Sequence, residues 1–365
     1  MQNNALHTFD SANQKNNHPY LNSANQFSVA PMLDWTNRHC RYFHRQLSQQ
    51  AWLYSEMVTT GAIIYGKNLP RFLGHDELDV PVVLQLGGSK LDELAQCAQL
   101  GEQWGYSEIN LNVGCPSDRV QNNMIGACLM AHPKLVAESV ATMKANVDIP
   151  VTVKCRIGID EQEAFDLLHT FVEGLVEEGV DGVIIHARKA WLQGLSPKEN
   201  RDVPPLRYDW VHQIKQQFPE LSIAINGGIT SLEQAHKHLA NEFTSESNQI
   251  LPPIDGVMLG RAVYERPYLL AEVDSLFYHD TQQQAPSRKE VLYRMFPYIE
   301  QHLTGGGKLN QITRHMLGLF HGLPGARMWR RYLSENACKE GAGLEVVKAA
   351  HQLVLNEMQR ITDKP

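Results

Sequence analysis

The sequence has no long hydrophobic run, and this absence excludes one class of protein. No stretch of the 365 residues approaches the roughly 18 apolar residues of a membrane-spanning helix. The first residues also lack the apolar core of a secretory signal peptide. We therefore expect a soluble, cytoplasmic protein with no membrane partner.

Cysteines are few, and their spacing excludes two kinds of site. The six lie at positions 40, 97, 115, 128, 155 and 338, and no two form a C-x-x-C pair. This spacing argues against zinc, and a chain of this length does not need disulfides for its stability. We expect reduced thiols and no metal.

Positive charge is scarce overall but concentrated in two places. The formal net charge is -7, which taken alone argues against a nucleic-acid partner. Residues 288–331, however, hold eight basic and two acidic residues, and residues 186–207 hold five basic and two acidic. Because the distribution matters more than the total, both segments are candidate contacts for nucleic acid.

Composition and periodicity divide the chain into three parts. Residues 1–26 are a polar tail with ten Asn and Gln, which we expect to be disordered. Residues 27–280 alternate short β-rich runs with amphipathic helical patterns. After a polar linker at 279–287, residues 288–360 are apolar at helical spacing with no strand signal, which predicts a small C-terminal all-helical domain.

Eight strand-like runs alternate with helical patterns in the middle part. They cover residues 27–31, 52–58, 80–86, 107–111, 151–156, 182–186, 222–226 and 255–260. Eight is the number that closes a TIM (β/α)8 barrel. The alternative is an open, doubly wound sheet, but the G-x-G-x-x-G that such a sheet favours is absent. The sequence predicts an α/β fold with a closed barrel.

Two glycine-containing strand ends indicate a phosphate site. In a TIM barrel the active site lies at the carboxyl ends of the strands, and phosphate commonly binds after strands 7 and 8. Asn226-Gly227-Gly228 and Gly260-Arg261 stand at those places. Glycine lets backbone N–H groups approach an anion, and Arg261 adds a cation. The alternative is a pair of ordinary glycine turns.

Several polar strand ends have two interpretations. Lys154 lies in an otherwise apolar strand, where it either would stabilise negative charge on a reduced cofactor, if one such as a flavin bound beside it, or pairs with a barrel carboxylate such as Glu56. Gln85 and His186 are similar, because each either contacts a flavin or is a satisfied polar residue of the barrel mouth.

Cys115 differs from the other cysteines by its place in a Gly-Cys-Pro loop after strand 4, three residues beyond Asn112. Cys97 and Cys155 lie at positions typical of core residues. A thiol is mostly protonated at neutral pH and can act as an acid. Cys115 is therefore either an acid catalyst or a buried, inert thiol.

At this point five motifs resemble one family, the tRNA-dihydrouridine synthases. The motifs are Ala30-Pro31-Met32, Asn110-Leu111-Asn112-Val113-Gly114-Cys115-Pro116, Lys154-Cys155-Arg156, His186-Ala187-Arg188 and Asn226-Gly227-Gly228. Segments 56–69 and 186–206 are similar to the bacterial A-type branch. The resemblance runs in order from residue 27 to about 335. One departure from the family pattern is an insertion near residues 241–253, which precedes Gly260-Arg261.

The resemblance implies an FMN-containing barrel followed by a helical tRNA-binding domain. It implies that NADPH reduces the flavin and that a D-loop uridine of tRNA, at position 20 or 20a, is then reduced. Cys115 would be the acid, and tRNA contacts would come from Asn112, Lys198, Arg201, Arg327 and Arg330. The implied FMN contacts are Pro31, Met32, Leu33, Gln85, Lys154, His186, Asn226, Gly227, Gly228, Gly260 and Arg261. We expect a monomer with no obligate protein partner.

The chemistry is consistent with this assignment. Uracil C6 accepts a hydride because the C5=C6 bond is conjugated to a carbonyl, and C5 then needs a proton from an acid such as Cys115. The sequence leaves two alternatives. One is an FMN barrel acting on a free pyrimidine, which would not need a basic helical domain. The other is a non-enzymatic RNA-binding protein, which would not need the glycine pair or Cys115.

Overall fold

Parallel strands form a closed barrel at the centre of the molecule. The computed structural model describes residues 26–117, 123–240, 242–244, 249–280 and 284–363. The strands within them are β1 (Gln26–Val29), β2 (Trp52–Thr59), β3 (Val82–Gly87), β4 (Glu108–Val113), β5 (Val151–Arg156), β6 (Gly182–His186), β7 (Ser222–Asn226) and β8 (Gly256–Leu259). Each strand pairs with its sequence neighbours, and β8 pairs with β1, so the predicted barrel is confirmed.

The predicted strands agree closely with the observed ones. β5, β6 and β7 have the predicted bounds, and the ends of the other five differ by at most two residues. The agreement follows from composition, since these short runs are rich in apolar and β-branched residues and are bounded by turn residues.

Helices surround the barrel and continue beyond it. The α-helices of the described residues are α1 (Arg38–Arg45), α2 (Thr60–Tyr65), α3 (Leu69–Leu73), α4 (Leu91–Gln103), α5 (Pro133–Lys144), α6 (Phe165–Glu177), α7 (Tyr208–Gln217), α8 (Leu232–Leu239), α9 (Arg261–Glu265), α10 (Val273–Phe277), α11 (Arg288–Thr304), α12 (Leu309–Met316), α13 (Ala326–Asn336) and α14 (Leu344–Thr362). Short 3-10 turns lie at Glu77–Asp79, Gly126–Ala131, Glu199–Arg201 and Pro267–Glu272.

Side-chain alternation separates the outside of the barrel from its interior. Ile109, Leu111 and Val113 of β4 belong to the large core between the strands and the helices, together with Cys155 of β5. The alternate residues point inward, because successive side chains of a strand face opposite sides. On β4 and β5 these inward residues are polar, namely Glu108, Asn110, Asn112, Thr152, Lys154 and Arg156. The barrel interior therefore carries hydrogen-bonding groups next to a small apolar cluster that includes Tyr54 and Met258.

The C-terminal helices α11 to α14, called the helical unit here, pack on the barrel. Trp329 is fully buried, and its indole Nε1 donates to the carbonyl of Met316 at 3.0 Å. Tyr298 stacks on Tyr42 of α1 with ring centroids 3.8 Å apart. Buried residues of this unit and of the barrel belong to one contiguous core, so the two parts are in direct contact.

Three predicted segments fall wholly or partly outside the described residues. The polar tail does so up to residue 25, and Gln26 already begins β1. In the insertion at 241–253, Thr244 and Ile250 form an antiparallel bridge, and Phe243 stacks on His212 of α7 at 4.0 Å. In the linker, Ser287 caps α11 through a capping box with Glu290.

None of the helices described has both the length and the apolar character that crossing a membrane requires.

Candidate active site

The carboxyl ends of the strands bring the predicted polar residues together at one opening of the barrel, the mouth. The strand register places Asn112 beside Lys154 and Arg156 beside His186. It also places His186 beside Asn226. These side chains therefore form a continuous arc across β4 to β7, as expected for an active site at the carboxyl end of a barrel.

Lys154 is held by an amide rather than by a carboxylate. Its Nζ donates to Oδ1 of Asn226 at 3.0 Å, and Asn226 Nδ2 donates in turn to the carbonyl of Met258 at 2.7 Å. Glu56, the alternative partner, accepts from the backbone N–H of Asp34 instead. Burial, followed by the nearby Arg156, lowers the pKa of Lys154 to about 8. Two Nζ protons remain beyond the Asn226 bond, since a lysine ammonium has three donors.

The glycine pair after β7 approaches the His186 ring closely. Gly227 and Gly228 have φ angles of 108° and 71°, in the left-handed region that favours glycine. A Cβ on Gly227 would lie 2.5 Å from Cδ2 and 2.8 Å from Nε2 of His186. The absence of side chains at this pair thus allows the backbone to lie directly against an imidazole edge.

His186 has a buried ring nitrogen without a hydrogen-bond partner in the described residues. Burial, followed by Arg156 and Lys154, holds the pKa of the ring well below its usual value, so the imidazole is neutral. Its Nε2 atom is the unpartnered one. Since buried polar atoms are normally paired, this orphan indicates that a bound ligand completes the site.

Gly260 and Arg261 follow β8 directly, as predicted, so the insertion does not displace them. The Arg261 guanidinium forms an ion pair with Asp202, with Nη2 2.7 Å from Oδ1 and Nη1 3.3 Å from Oδ2. Both side chains are substantially exposed, so the pair is weak and exchangeable.

The Cys115 loop is fixed through its backbone. Oδ1 of Asn112 accepts from the N–H groups of Gly114 at 3.2 Å and Cys115 at 3.0 Å. The Cys115 carbonyl accepts from the N–H of Ala127 at 2.8 Å. The side chain itself is half-buried. The loop therefore holds a partly accessible thiol at a defined place beside the mouth.

Arg156 joins two loops of the mouth. Its Nε donates to the carbonyl of Gly114 at 3.1 Å, and its Nη1 donates to the carbonyls of Lys189 at 3.1 Å and Asn200 at 2.8 Å. The side chain is almost fully buried. It therefore links the Cys115 loop to the basic segment after β6, where Lys198 and Arg201 are exposed.

The loop after β1 supplies one further side of the mouth. The Met32 backbone is held by Thr36, whose Oγ1 accepts from the Met32 N–H at 3.0 Å. Pro31 is half-buried, whereas Leu33 is 64% exposed. The three predicted contacts on this loop thus differ in how far they lie within the mouth.

Arg327 and Arg330 lie on α13, one of the C-terminal helices. Both are exposed, and neither forms an ion pair within the described residues. Trp329 and Leu333 occupy the buried side of the same helix. The predicted common face for the two arginines is therefore a solvent-facing surface of the helical unit.

Comparison with known proteins identifies the family. The family model described as Dihydrouridine synthase (Dus) matches residues 28–356. The chain belongs to the dihydrouridine synthase family. The resemblance in the sequence motifs is thereby confirmed.

Dihydrouridine synthases with curated names are similar over most of this chain. A protein of Shewanella oneidensis named tRNA-dihydrouridine(20/20a) synthase is 58% identical over 332 residues, covering 91% of this chain and 95% of its own. One of the same name from Vibrio cholerae is 57% identical over 326 residues, covering 89% and 95%. A solved 2-naphthoyl-CoA reductase complex, 12% identical, aligns with a TM-score of 0.52 over 68% of this chain and 49% of its own, and shows the likeness of the fold.

Sequence reasoning on this dihydrouridine synthase gave no role to Arg156 or Asn200. Asn200 is fully buried, and its side chain bonds the backbone of Trp191 through both amide atoms. Inward alternation on β5 signals the position of Arg156, but only the fold shows that it bridges two loops. Asn200 lies in a three-residue 3-10 turn, which is too short for a periodic signal to mark a buried residue.

Proposed function

We propose that this chain reduces uridine to 5,6-dihydrouridine in the D-loop of tRNA, with bound FMN and with NADPH as the reductant. The targets are uridines 20 and 20a, by similarity to the relatives that carry those positions in their names. The observation that carries the proposal is the orphaned Nε2 of His186 beside the glycine pair after β7, next to a lysine and a loop thiol.

The residues of the mouth fit FMN in their chemistry. A phosphate suits the backbone N–H groups of Gly227 and Gly228, which carry no side chain of their own, together with Gly260 and Arg261 once Arg261 leaves Asp202. The ring system carries carbonyl and nitrogen acceptors, which suit the N–H donors of the mouth. The proposed contacts are Pro31, Met32, Leu33, Gln85, Lys154, His186, Asn226, Gly227, Gly228, Gly260 and Arg261.

Lys154 is suited to stabilise the negative charge of a reduced FMN ring. When bound, FMN takes up electrons from NADPH and supplies a hydride to uracil C6. A buried ammonium stabilises the negative charge that accompanies this chemistry. Because burial brings the pKa of Lys154 to about 8, an anion beside it favours the protonated form.

Cys115 is the proton donor in this proposal. After hydride addition, negative charge lies on C5 and O4 of the uracil. The Cys115 thiol gives its proton to C5, and the thiolate that remains is reprotonated from solvent. A half-buried position suits both requirements, because a partly exposed thiol is accessible both to a substrate in the mouth and to water.

Substrate binding draws on both parts of the molecule. A uridine within a folded tRNA must leave its stack to reach the mouth, at a cost of roughly a few kcal/mol. Asn112 contacts the base, while Lys198, Arg201, Arg327 and Arg330 contact the tRNA. Residues 27–280 then form the FMN domain, and residues 288–360 form the tRNA-binding domain. We place the enzyme in the cytoplasm as a monomer.

The test is anaerobic oxidation of the prereduced flavoprotein by unmodified tRNA, followed through the flavin absorbance. We expect oxidation by unmodified tRNA and far slower oxidation by free uracil. Equal or faster oxidation by free uracil would instead favour a free-pyrimidine reductase. A preparation that binds tRNA but no flavin would contradict the enzyme assignment.

A further inference from the structure

A column of polar side chains runs through the barrel interior from Glu108 to the Cys115 loop. Its members are Glu108, Thr152, Asn110, Gln85 and Asn112, on β3, β4 and β5. The upper two members are placed in the proposed site, but the lower three have no role in it. Any role of the lower three in the site rests on the proposed function.

The hydrogen bonds at the Asn112 end of the column fix its donor-to-acceptor direction. Oδ1 of Asn112 faces the N–H groups of Gly114 and Cys115, which only donate. The side-chain oxygen of Asn112 must therefore point to the loop and its nitrogen to the barrel. Nδ2 of Asn112 then donates to Oε1 of Gln85 at 2.8 Å.

Each further hydrogen bond of the column has the same donor-to-acceptor direction. With its oxygen occupied by Asn112, Gln85 donates from Nε2 to Oδ1 of Asn110 at 2.8 Å. Asn110 donates from Nδ2 to Oγ1 of Thr152 at 2.8 Å. The Thr152 hydroxyl is thus an acceptor from above, and its single proton goes to Oε1 of Glu108.

Glu108 is the terminal acceptor of this one-way chain. The residue is fully buried, and its Oε1 also accepts from the Tyr54 hydroxyl at 3.2 Å. Burial raises the pKa of Glu108 to about 8, so it is a neutral acid near pH 7. A carboxyl oxygen accepts in either protonation state, so the chain depends on the acceptor and not on the charge.

We propose that Glu108 is a positioning residue that acts through Thr152 and Asn110 to fix the amide orientations of Gln85 and Asn112. In this orientation each of the two amides has one N–H proton beyond those used within the chain. The mouth then offers donors to the carbonyl-rich rings of the flavin and of uracil. Reversal of either amide would turn an oxygen toward the mouth, and reversal of Asn112 would also release the Cys115 loop.

The alternative is that Glu108 serves only the packing of the barrel. The two roles differ in their response to substitution. Glu108→Gln keeps an acceptor oxygen toward Thr152, whereas Glu108→Leu removes it. Thr152→Val breaks the chain one step higher and leaves Glu108 in place. Ser139→Ala is the matched control, because it removes a buried hydroxyl of α5 that bonds Leu135 outside the column.

The measurement is the single-turnover oxidation of the prereduced holoenzyme by unmodified tRNA, together with FMN affinity and the melting temperature. We expect Glu108→Leu and Thr152→Val each to slow the oxidation about tenfold or more, which is the effect of one unpaired buried partner. Glu108→Gln should restore the rate to near that of the wild type. The Glu108→Leu/Thr152→Val double variant should be no slower than the slower of these two single variants, because the loss of one hydrogen bond already interrupts the whole chain.

Three outcomes would overturn the inference. One is wild-type oxidation rate and FMN affinity in both Glu108→Leu and Thr152→Val, with only the melting temperature lowered, as in Ser139→Ala. Another is a rate in Glu108→Gln as low as in Glu108→Leu. The third is additive loss in the double variant. If Glu108→Leu does not fold, Thr152→Val and Glu108→Gln still decide. A wild-type holoenzyme that tRNA does not oxidise would instead contradict the proposed function.

Discussion

Cys115 differs from the buried cysteines in what surrounds its thiol. Burial raises the pKa of Cys97 and of Cys155 to about 12, and their side chains pack within the core. Cys115 is half-buried, and its backbone is anchored by Asn112 and Ala127. A thiol that donates a proton during turnover needs this combination of a fixed place and access to water.

Cys115→Ala should stop the protonation of C5 while leaving the binding sites in place. We expect FMN and tRNA affinity near the wild-type values and a loss of dihydrouridine formation on the order of 10²-fold or more. Quantification of dihydrouridine in single-turnover samples measures this. Cys338→Ala, at an exposed thiol, is the control and should be fully active. An active Cys115→Ala enzyme would remove the residue from the mechanism.

The burial of Glu108 predicts that the free energy of unfolding depends on pH in a specific way. Its pKa in the folded chain is raised from 4.5 to about 8, first by burial and to a lesser extent by Asp181, against hydrogen bonds from Thr152 and Tyr54. The folded state thus binds the proton more tightly, so stability from this group is present below pH 4.5 and is lost as pH rises to about 8. The loss is at most roughly 5 kcal/mol.

Glu108→Gln should remove this dependence, because an amide does not titrate. The melting temperature of the variant minus that of the wild type should therefore increase from pH 5 to pH 8.5. Thermal melts in a series of buffers at constant ionic strength give the comparison. A difference that stays constant across this range would show that Glu108 does not titrate as its burial implies.

At the scale of elements, periodicity and turn residues were sufficient to predict the barrel strands, the helical C-terminal part and the strand ends that form the mouth. The partners of those side chains could not be predicted. Lys154 pairs with Asn226 and Arg261 with Asp202, and both contacts join residues far apart in the chain. Alternation on β4 shows that Glu108 faces inward, but the direction of its hydrogen-bond chain depends on a loop beyond the strand.

The turn after β7 can be tested by adding one methyl group. Gly227→Ala places a Cβ within 2.5 Å of the His186 ring at a φ of 108°, so we expect loss of FMN binding and a stability cost of roughly 1–3 kcal/mol. Gly194→Ala is the matched control, since its φ is also positive, at 86°, but no atom lies within 4 Å. It should lose some stability and retain FMN. Flavin fluorescence titration and thermal melts measure both, and equal FMN affinity in the two variants would argue against a ligand at this turn.

Helix α13 predicts a change in the salt dependence of tRNA binding. Replacing both Arg327 and Arg330 by Ala removes two exposed cations, so binding should weaken, and the slope of log K against log salt should flatten by about 1.5. Arg331→Ala is the control on the same helix, because Arg331 already pairs with Glu335 at 2.8 Å. Titrations at several salt concentrations compare the three proteins. An unchanged slope in the double variant would place the tRNA elsewhere.

At the scale of the whole molecule, a chain with net charge -7 must bind an anionic partner through local surfaces. The two basic segments lie on different parts, one above the barrel mouth and one in the helical unit. These parts share a contiguous core, and the Arg288 Nε donates to the carbonyl of Leu319 to fix the start of α11 within the helical unit. A tRNA that contacts both surfaces therefore meets one preorganised body, which lowers the ordering cost of binding.

The most direct test of the central claim is mass spectrometry of an unmodified tRNA transcript incubated with the protein, FMN and NADPH. The proposal predicts a gain of two hydrogens on a D-loop uridine at position 20 or 20a, dependent on NADPH and absent with Cys115→Ala. A transcript that gains no hydrogen with the flavin-loaded wild-type protein, or gains it only outside the D-loop, would contradict the account.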